Sequence, residues 1–105
     1  MRSALEETTI TEMKKLDAGL TELGIAHLYD RNYLDGEQII AVHFGKFLFD
    51  VVCLNLSYGG KQGLLEARGK WLLGNKDVEG WLTAENILSV VKAKKDSLMQ
   101  LVSKT

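Results

Sequence analysis

The sequence predicts an α+β fold, with a three- or four-stranded antiparallel sheet packed on one face by an N-terminal and a C-terminal helix. Apolar residues recur at helical spacing near both ends of the chain. The middle is rich in β-branched and aromatic residues that glycine turns divide into short runs. The 105 residues suit one domain with one core, and no linker or repeat indicates a boundary.

The first element is an amphipathic helix. Apolar side chains recur at three- and four-residue steps over residues 10–23, which places them on one stripe. Thr9 and Glu12 have the spacing of a capping box, and Gly24 stands where a left-handed residue usually ends a helix. These signals predict a helix over that range, preceded by frayed residues 1–8.

Extended segments follow the helix. Residues 25–33 are rich in aromatic and branched side chains, and Asp35-Gly36 is a turn signal that leads into a second strand. A later segment over residues 64–73 is expected to join the sheet antiparallel, with Gly69 as a bulge or bend. Together with the strands around the next turn, these segments build the predicted sheet.

The best-defined hairpin surrounds Gly45 and Lys46. Glycine at the first position of a two-residue turn suits a type II′ hairpin, and that turn fixes which residues face one another. The resulting register places His43 and Cys53 on opposite faces of the sheet. The predicted core face carries three phenylalanines and three aliphatic residues: Phe44, Phe47, Phe49, Ile40, Val42 and Val51.

The last element is a second amphipathic helix. Thr83 is its predicted N-cap, and Glu85 lies in its first turn, where a carboxylate favours the positive end of the helix dipole. Its apolar stripe continues further than a sheet of short strands needs for cover. We therefore expect residues 96–105 to pack against a second copy in a two-fold dimer, or to fold back onto the first helix. The apolar residues of this extension are Leu98, Met99, Leu101 and Val102.

Composition excludes several classes. The net charge of −1 creates no global field that would favour nucleic acid. No apolar run approaches the length of a membrane span, and residues 1–7 lack the apolar region of a signal peptide. The single cysteine, Cys53, has no partner for an internal disulfide, which agrees with a reducing compartment. We expect a cytoplasmic protein without membrane contact.

No pattern indicates catalysis. Residues 59–61 (GGK) are similar to part of a phosphate loop, but Gln62 stands where that motif needs Ser or Thr. Tyr58, Lys61 and the glycines around them are instead predicted to form a mobile surface loop. Cys53 could act as a nucleophile only with a nearby base, and the predicted register separates it from His43. The two histidines are too scattered to indicate a metal site. We therefore expect no enzymatic activity, no metal and no cofactor.

Basic and aromatic residues alternate in the second half of the chain, a composition that grips single-stranded nucleic acid. Glu66 and Glu79 lie among them and weaken any positive field. Tryptophan is enriched in protein interfaces, so we predict protein binding first and nucleic-acid binding as the alternative. The candidate contact residues are Tyr58, Lys61, Arg68, Lys70, Trp71 and Trp81.

Less than half of the chain resembles a family of small proteins of unknown function from phages and prophages of Gram-positive bacteria. The shared segments are residues 51–53 (VVC), 57–60 (SYGG), 63–66 (GLLE) and 78–86 (VEGWLTAEN). Trp81 replaces the usual tyrosine of that pattern. The resemblance implies a mobile-element setting in the host cytoplasm. It also implies a role that needs no catalysis, such as occupying a host defence factor, for instance a CRISPR nuclease.

Overall fold

The computed structural model describes the backbone of residues 4–104 and the side chains of residues 11–95. Within this part the elements are α1 (Ala4–Glu22), β1 (His27–Tyr33), β2 (Gly36–His43), β3 (Lys46–Cys53), β4 (Leu65–Arg68), α2 (Lys70–Leu73), β5 (Val78–Leu82) and α3 (Ala84–Lys104). The strands form one antiparallel sheet in the order β1-β2-β3-β4-β5. The α+β class is as predicted, and the sheet has five strands where the sequence predicts three or four.

Helix α1 begins at Ala4, earlier than the start near residue 10 that the capping pattern predicts. Its end is as predicted, because Gly24 adopts a left-handed conformation with φ of 76°. The amide of Ile25 then donates to the carbonyl of Leu20 at 2.9 Å. This six-to-one bond is typical of a Schellman motif, and it directs the chain from the helix into β1.

The turn between β2 and β3 lies one residue earlier than the sequence predicts. Its central residues are Phe44 and Gly45, with φ of 49° and 77°, and His43 pairs with Lys46 across it. Two positive φ values are typical of a type I′ turn, which is compatible with the twist of a hairpin. The predicted type II′ turn at Gly45-Lys46 is therefore wrong, and so is the register derived from it.

A one-residue slip changes which residues share a face, and two of the three phenylalanines predicted for the core are exposed. Phe44 is 79% exposed and Phe47 is 57% exposed, whereas Phe49 is fully buried as predicted. A bulge at the turn end of β3 separates the pairs Val42 with Phe47 and Ala41 with Phe49. The core residues of β2 and β3 are instead Ile39, Ala41, Leu48, Phe49, Val51 and Cys53.

The turn between β1 and β2 also differs from the prediction by one residue. Leu34, with φ of 52°, and Asp35 occupy the turn, and Gly36 is already the first residue of β2. A Cβ atom on Gly36 would lie 1.9 Å from the carbonyl oxygen of Cys53. This glycine therefore permits the close approach of β3, and the turn itself uses Leu34.

The predicted extended segment over residues 64–73 is divided. It contains β4 and then the single-turn helix α2, because Gly69 adopts φ of 130° and redirects the chain. The fifth strand, β5, pairs with β4, and a bulge near Trp81 interrupts this pairing. Sequence reasoning missed β5, since Gly80 weakens the strand pattern there.

One hydrophobic cluster joins the two long helices to the sheet. Phe49 stacks on Trp71 within it, with ring centroids 5.9 Å apart and planes 8° apart. Burial of each large apolar side chain stabilises the fold by roughly 1.5–3 kcal/mol. The buried members from the long helices and strands β2 to β4 are Met13, Leu16, Leu20, Ile39, Ala41, Leu48, Phe49, Val51, Cys53, Leu65, Ala67, Ala84, Ile87 and Val91.

Helix α3 has the predicted start. The amide of Asn86 donates to Thr83 Oγ1 at 3.1 Å, and the amide of Thr83 donates to Asn86 Oδ1 at 3.0 Å, which is a reciprocal cap. The helix continues to Lys104, so its length also matches the sequence prediction. The predicted dimer contacts, Leu98, Met99, Leu101 and Val102, lie outside the residues whose side chains are described.

Candidate functional site

Four large apolar side chains are exposed at one end of the sheet. The turn between β1 and β2, the connection from β3 to β4, and the last residues of β5 all lie at this end. Leu34 is 77% exposed, Leu56 91%, Tyr58 58% and Trp81 59%. We call these four residues the apolar end.

Hydrogen bonds join the segments that carry the apolar end. The amide of Asn55 donates to Asp35 Oδ1 at 3.3 Å, which links the first turn to the β3–β4 connection. The amide of Trp81 donates to the carbonyl of Tyr58 at 3.1 Å, and the amide of Tyr58 donates to Glu66 Oε1 at 2.8 Å. Backbone amides donate all three bonds, and none of the bonds involves the side chains of the apolar end itself.

The glycine-rich connection between β3 and β4 is densely packed. Ser57 Oγ bonds both the amide of Leu54 at 2.8 Å and its carbonyl at 2.9 Å. Gly59 and Gly60 are buried, and a Cβ atom on Gly60 would lie 1.8 Å from the carbonyl oxygen of Leu54. The glycines thus serve close packing, whereas the sequence predicts a mobile loop from the same residues.

Two residues of the apolar end have an unfavourable backbone conformation. Leu34 has φ of 52° and Trp81 has φ of 60°, in the left-handed region that large side chains rarely adopt. Such a conformation costs an L-residue roughly 1–2 kcal/mol. Because both side chains are largely exposed, their burial offsets little of this cost. Neither packing nor backbone preference explains a tryptophan at position 81.

The six predicted contact residues do not form one surface. Tyr58 and Trp81 are exposed and adjacent, as just described, and Lys61 is exposed in the short 3₁₀ turn (Gly60–Gln62) that follows Tyr58. Trp71 instead packs against Phe49 in the core. This leaves Tyr58 and Trp81 as the aromatic pair of the predicted set.

The predicted basic residues are separated as well. Arg68 lies at the far end of β4 from Lys61, and Lys70 follows it in α2. Arg68 Nη2 bonds Asp50 Oδ2 at 2.5 Å, and Gln38 Nε2 donates to the same oxygen at 3.1 Å. The hydrogen bond from Arg68 to this carboxylate raises the pKa of Arg68 above its usual value. Arg68 is therefore engaged within the sheet.

Cys53 and His43, the base considered for it, lie at opposite ends of the β2–β3 hairpin. Cys53 pairs with Glu37 at one end of β2, whereas His43 lies at the other end. The two residues share a side of the sheet, contrary to the predicted register, but six strand positions separate them by about 20 Å. The thiol is fully buried, and its Sγ lies 3.3 Å from the carbonyl oxygen of Leu64.

Two polar pairs at β1 were not predicted from the sequence. His27 Nε2 lies 2.6 Å from Asp17 Oδ1, and Tyr29 Oη donates to Glu37 Oε1 at 2.5 Å. Burial, and then the bond to Glu37, raise the pKa of Tyr29 well above its usual value. The partners are far apart in sequence, so no local pattern could have found them.

A groove runs between α1 and α3, with a volume of about 590 Å³. Leu88 lies against Gly19 at its floor, where a Cβ atom on Gly19 would approach Leu88 Cδ1 to 2.3 Å. Its rims carry charges of both signs: Lys15, Glu22, Glu85 and Lys92. This mixture selects no particular ligand.

Within the described side chains, no group of three or more His, Cys, Asp or Glu residues is placed to hold a metal ion. No helix in the part of the chain described here is long and apolar enough to cross a membrane. No family model matches the sequence, and comparisons with curated proteins and with solved structures found no match.

Proposed function

We propose that this chain is a small protein-binding module that contacts its partner through the apolar end. The observation that carries this proposal is the exposed Trp81, held at a left-handed position by the bulge in β5. Bulges often re-aim a side chain, and strained residues cluster at functional sites. Tryptophan and tyrosine are also the residues that most often anchor protein interfaces.

We also propose a phage or prophage origin and a cytoplasmic role without catalysis, including inhibition of a host defence factor such as a CRISPR nuclease. The support is the sequence resemblance, whose segments 57–60 and 78–86 contain Tyr58 and Trp81. In this proposal, both long helices cover the face of the sheet that carries Phe49. The end of the sheet then stays open to a partner.

Nucleic-acid binding, the alternative from the sequence, has less support. It needs a continuous basic stripe that follows a phosphate backbone. Lys61 lies in the 3₁₀ turn before β4, whereas Arg68 is the last residue of β4 and is paired with Asp50. No geometric feature of the described residues favours this reading over protein binding.

Site-specific photocrosslinking tests the proposal. A photoreactive amino acid at position 56, the most exposed residue of the apolar end, should give a discrete protein adduct in a Gram-positive host. The matched control places the same group at position 44, which is also highly exposed but lies at the opposite end of the sheet. Adducts that are equal at both positions, or absent at position 56, would contradict the proposal.

Trp81→Gly provides the decisive variant. Glycine accepts the left-handed conformation without strain, although it also increases the entropy of the unfolded chain. We expect the free energy of unfolding to change by less than about 1 kcal/mol, while the adduct at position 56 disappears. A folded Trp81→Gly variant that retains the adduct would remove Trp81 from the interface.

A further inference from the structure

We propose that the outer edge of β1 pairs antiparallel with β1 of a second copy of this chain, with Leu28 opposite its own counterpart. The resulting two-fold dimer would have one continuous ten-stranded sheet. This interface is separate from the apolar end, so it goes beyond the proposed function.

The backbone of β1 offers hydrogen-bonding groups at this edge. The amide of Val42 donates to the carbonyl of Ala26 at 2.9 Å, so these two residues form a hydrogen-bonded pair. Such pairs alternate along an antiparallel ladder, and Leu28 therefore bonds towards β2. The amides and carbonyls of His27 and Tyr29 point away from β2, towards the open edge.

An apolar patch begins at this edge and continues into the sheet. Leu28 is 69% exposed, and it pairs with the half-buried Ile40. Val42 follows Ile40 on the same side of β2 and pairs with the exposed Phe47. Pairing of two β1 strands would bring the patches of both copies together across the axis, because Leu28 is the member of the patch nearest to it.

The side chains of β1 favour this register over its neighbours. In the proposed register, His27 exchanges backbone bonds with Tyr29 of the second copy, and Leu28 meets Leu28. Sliding the second strand by one pleat puts Leu28 opposite Asp30, and a further pleat puts Asp30 opposite Asp30. Like charges directly opposite destabilise a pair of strands. Sliding it the other way leaves Leu28 against the smaller Ala26.

The same strand limits the interface to two copies. A bulge between Asp30 and Tyr33 interrupts the regular pairing of β1, so the pairing edge is short. At the other edge of the sheet, the bulge of β5 near Trp81 disturbs the ladder. Bulges of this kind protect edges against open-ended association, so the sheet should stop growing at a closed dimer.

Disulfide trapping tests the register. In the proposed dimer the two residues at position 28 form a non-hydrogen-bonded pair with Cα atoms about 4.5 Å apart, within the range that a disulfide spans. Leu28→Cys should therefore give a covalent dimer on mild oxidation with diamide. Asp30→Cys is the matched control on the same strand and side. The Cα atoms of the two residues at position 30 would lie about 14 Å apart, so these cysteines should stay reduced.

Light scattering on the full chain tests the dimer itself. Leu28→Lys should raise the dimer Kd at least about tenfold, since it places two like charges at the axis. Phe44→Lys introduces the same charge at another exposed apolar residue, away from the axis, and should leave the Kd unchanged. A full-length chain that is monomeric at millimolar concentration would overturn the proposal. So would a dimer that withstands Leu28→Lys and dissociates when the chain ends at Lys95, because the interface would then belong to α3.

Discussion

At the scale of single residues, the three phenylalanines of the β2–β3 hairpin separate core from surface. Phe49→Ala should lower the free energy of unfolding by about 3–5 kcal/mol, because it removes a fully buried ring that stacks on Trp71. Phe44→Ala and Phe47→Ala remove exposed rings and should each cost less than about 1 kcal/mol. Denaturant melts of the three variants measure this difference. Equal losses at Phe47 and Phe49 would contradict the observed register.

Tyr29 provides a second prediction at this scale. Burial, and then the bond to Glu37, raise its pKa in the folded state, so the neutral phenol contributes stability that is fully present below the usual tyrosine pKa of about 10. That stability is lost as the pH rises above this value. In alkaline titration of tyrosinate absorbance, Tyr29→Phe should match the unchanged protein until the protein unfolds. A smaller amplitude in the folded Tyr29→Phe variant would show that Tyr29 ionises freely.

At the scale of elements, the connection from β3 to β4 is expected to behave as part of the core. Gly60→Ala should lower the free energy of unfolding by about 2 kcal/mol or more, because the new Cβ would meet the carbonyl oxygen of Leu54 at 1.8 Å. Lys61→Ala changes the next, exposed side chain and should stay within about 0.5 kcal/mol. Thermal melts compare the two. If the Gly60→Ala variant were as stable as Lys61→Ala, the result would instead support the mobile loop that the sequence predicts.

The elements also show what local sequence patterns can and cannot specify. The closing helix was predicted with its cap at Thr83, since capping and periodicity depend on neighbours in sequence. The register of the β2–β3 hairpin was not, because the turn places Phe44 at a left-handed position where the usual rules expect glycine or asparagine. In the apolar end, Tyr58 and Trp81 were predicted as contact residues. Leu34 and Leu56 were missed, since an isolated leucine in a turn carries no signal of its exposure.

At the scale of the whole molecule, the two long helices are coupled directly. The amide of Ala84, at the start of α3, donates to Glu12 Oε1 of α1 at 2.8 Å. The amide of Ala84 has no acceptor within α3, and the carboxylate of Glu12 supplies one at the positive end of the α3 dipole. The two residues are 72 positions apart in sequence. The first helix therefore caps the last, and the two ends of the domain should unfold together.

Glu12→Ala tests this coupling. It should cost about 1 kcal/mol, as the loss of an N-cap does, and lower the Tm by roughly 4–8 °C within a single transition. Lys15→Ala is the matched control, because Lys15 forms an exposed ion pair with Glu12 at 3.6 Å that contributes little. Glu12→Gln retains an acceptor oxygen and should recover part of the loss. If Lys15→Ala cost as much as Glu12→Ala, the ion pair would outweigh the cap. Two separate transitions in Glu12→Ala would instead show that α3 can detach while the sheet stays folded.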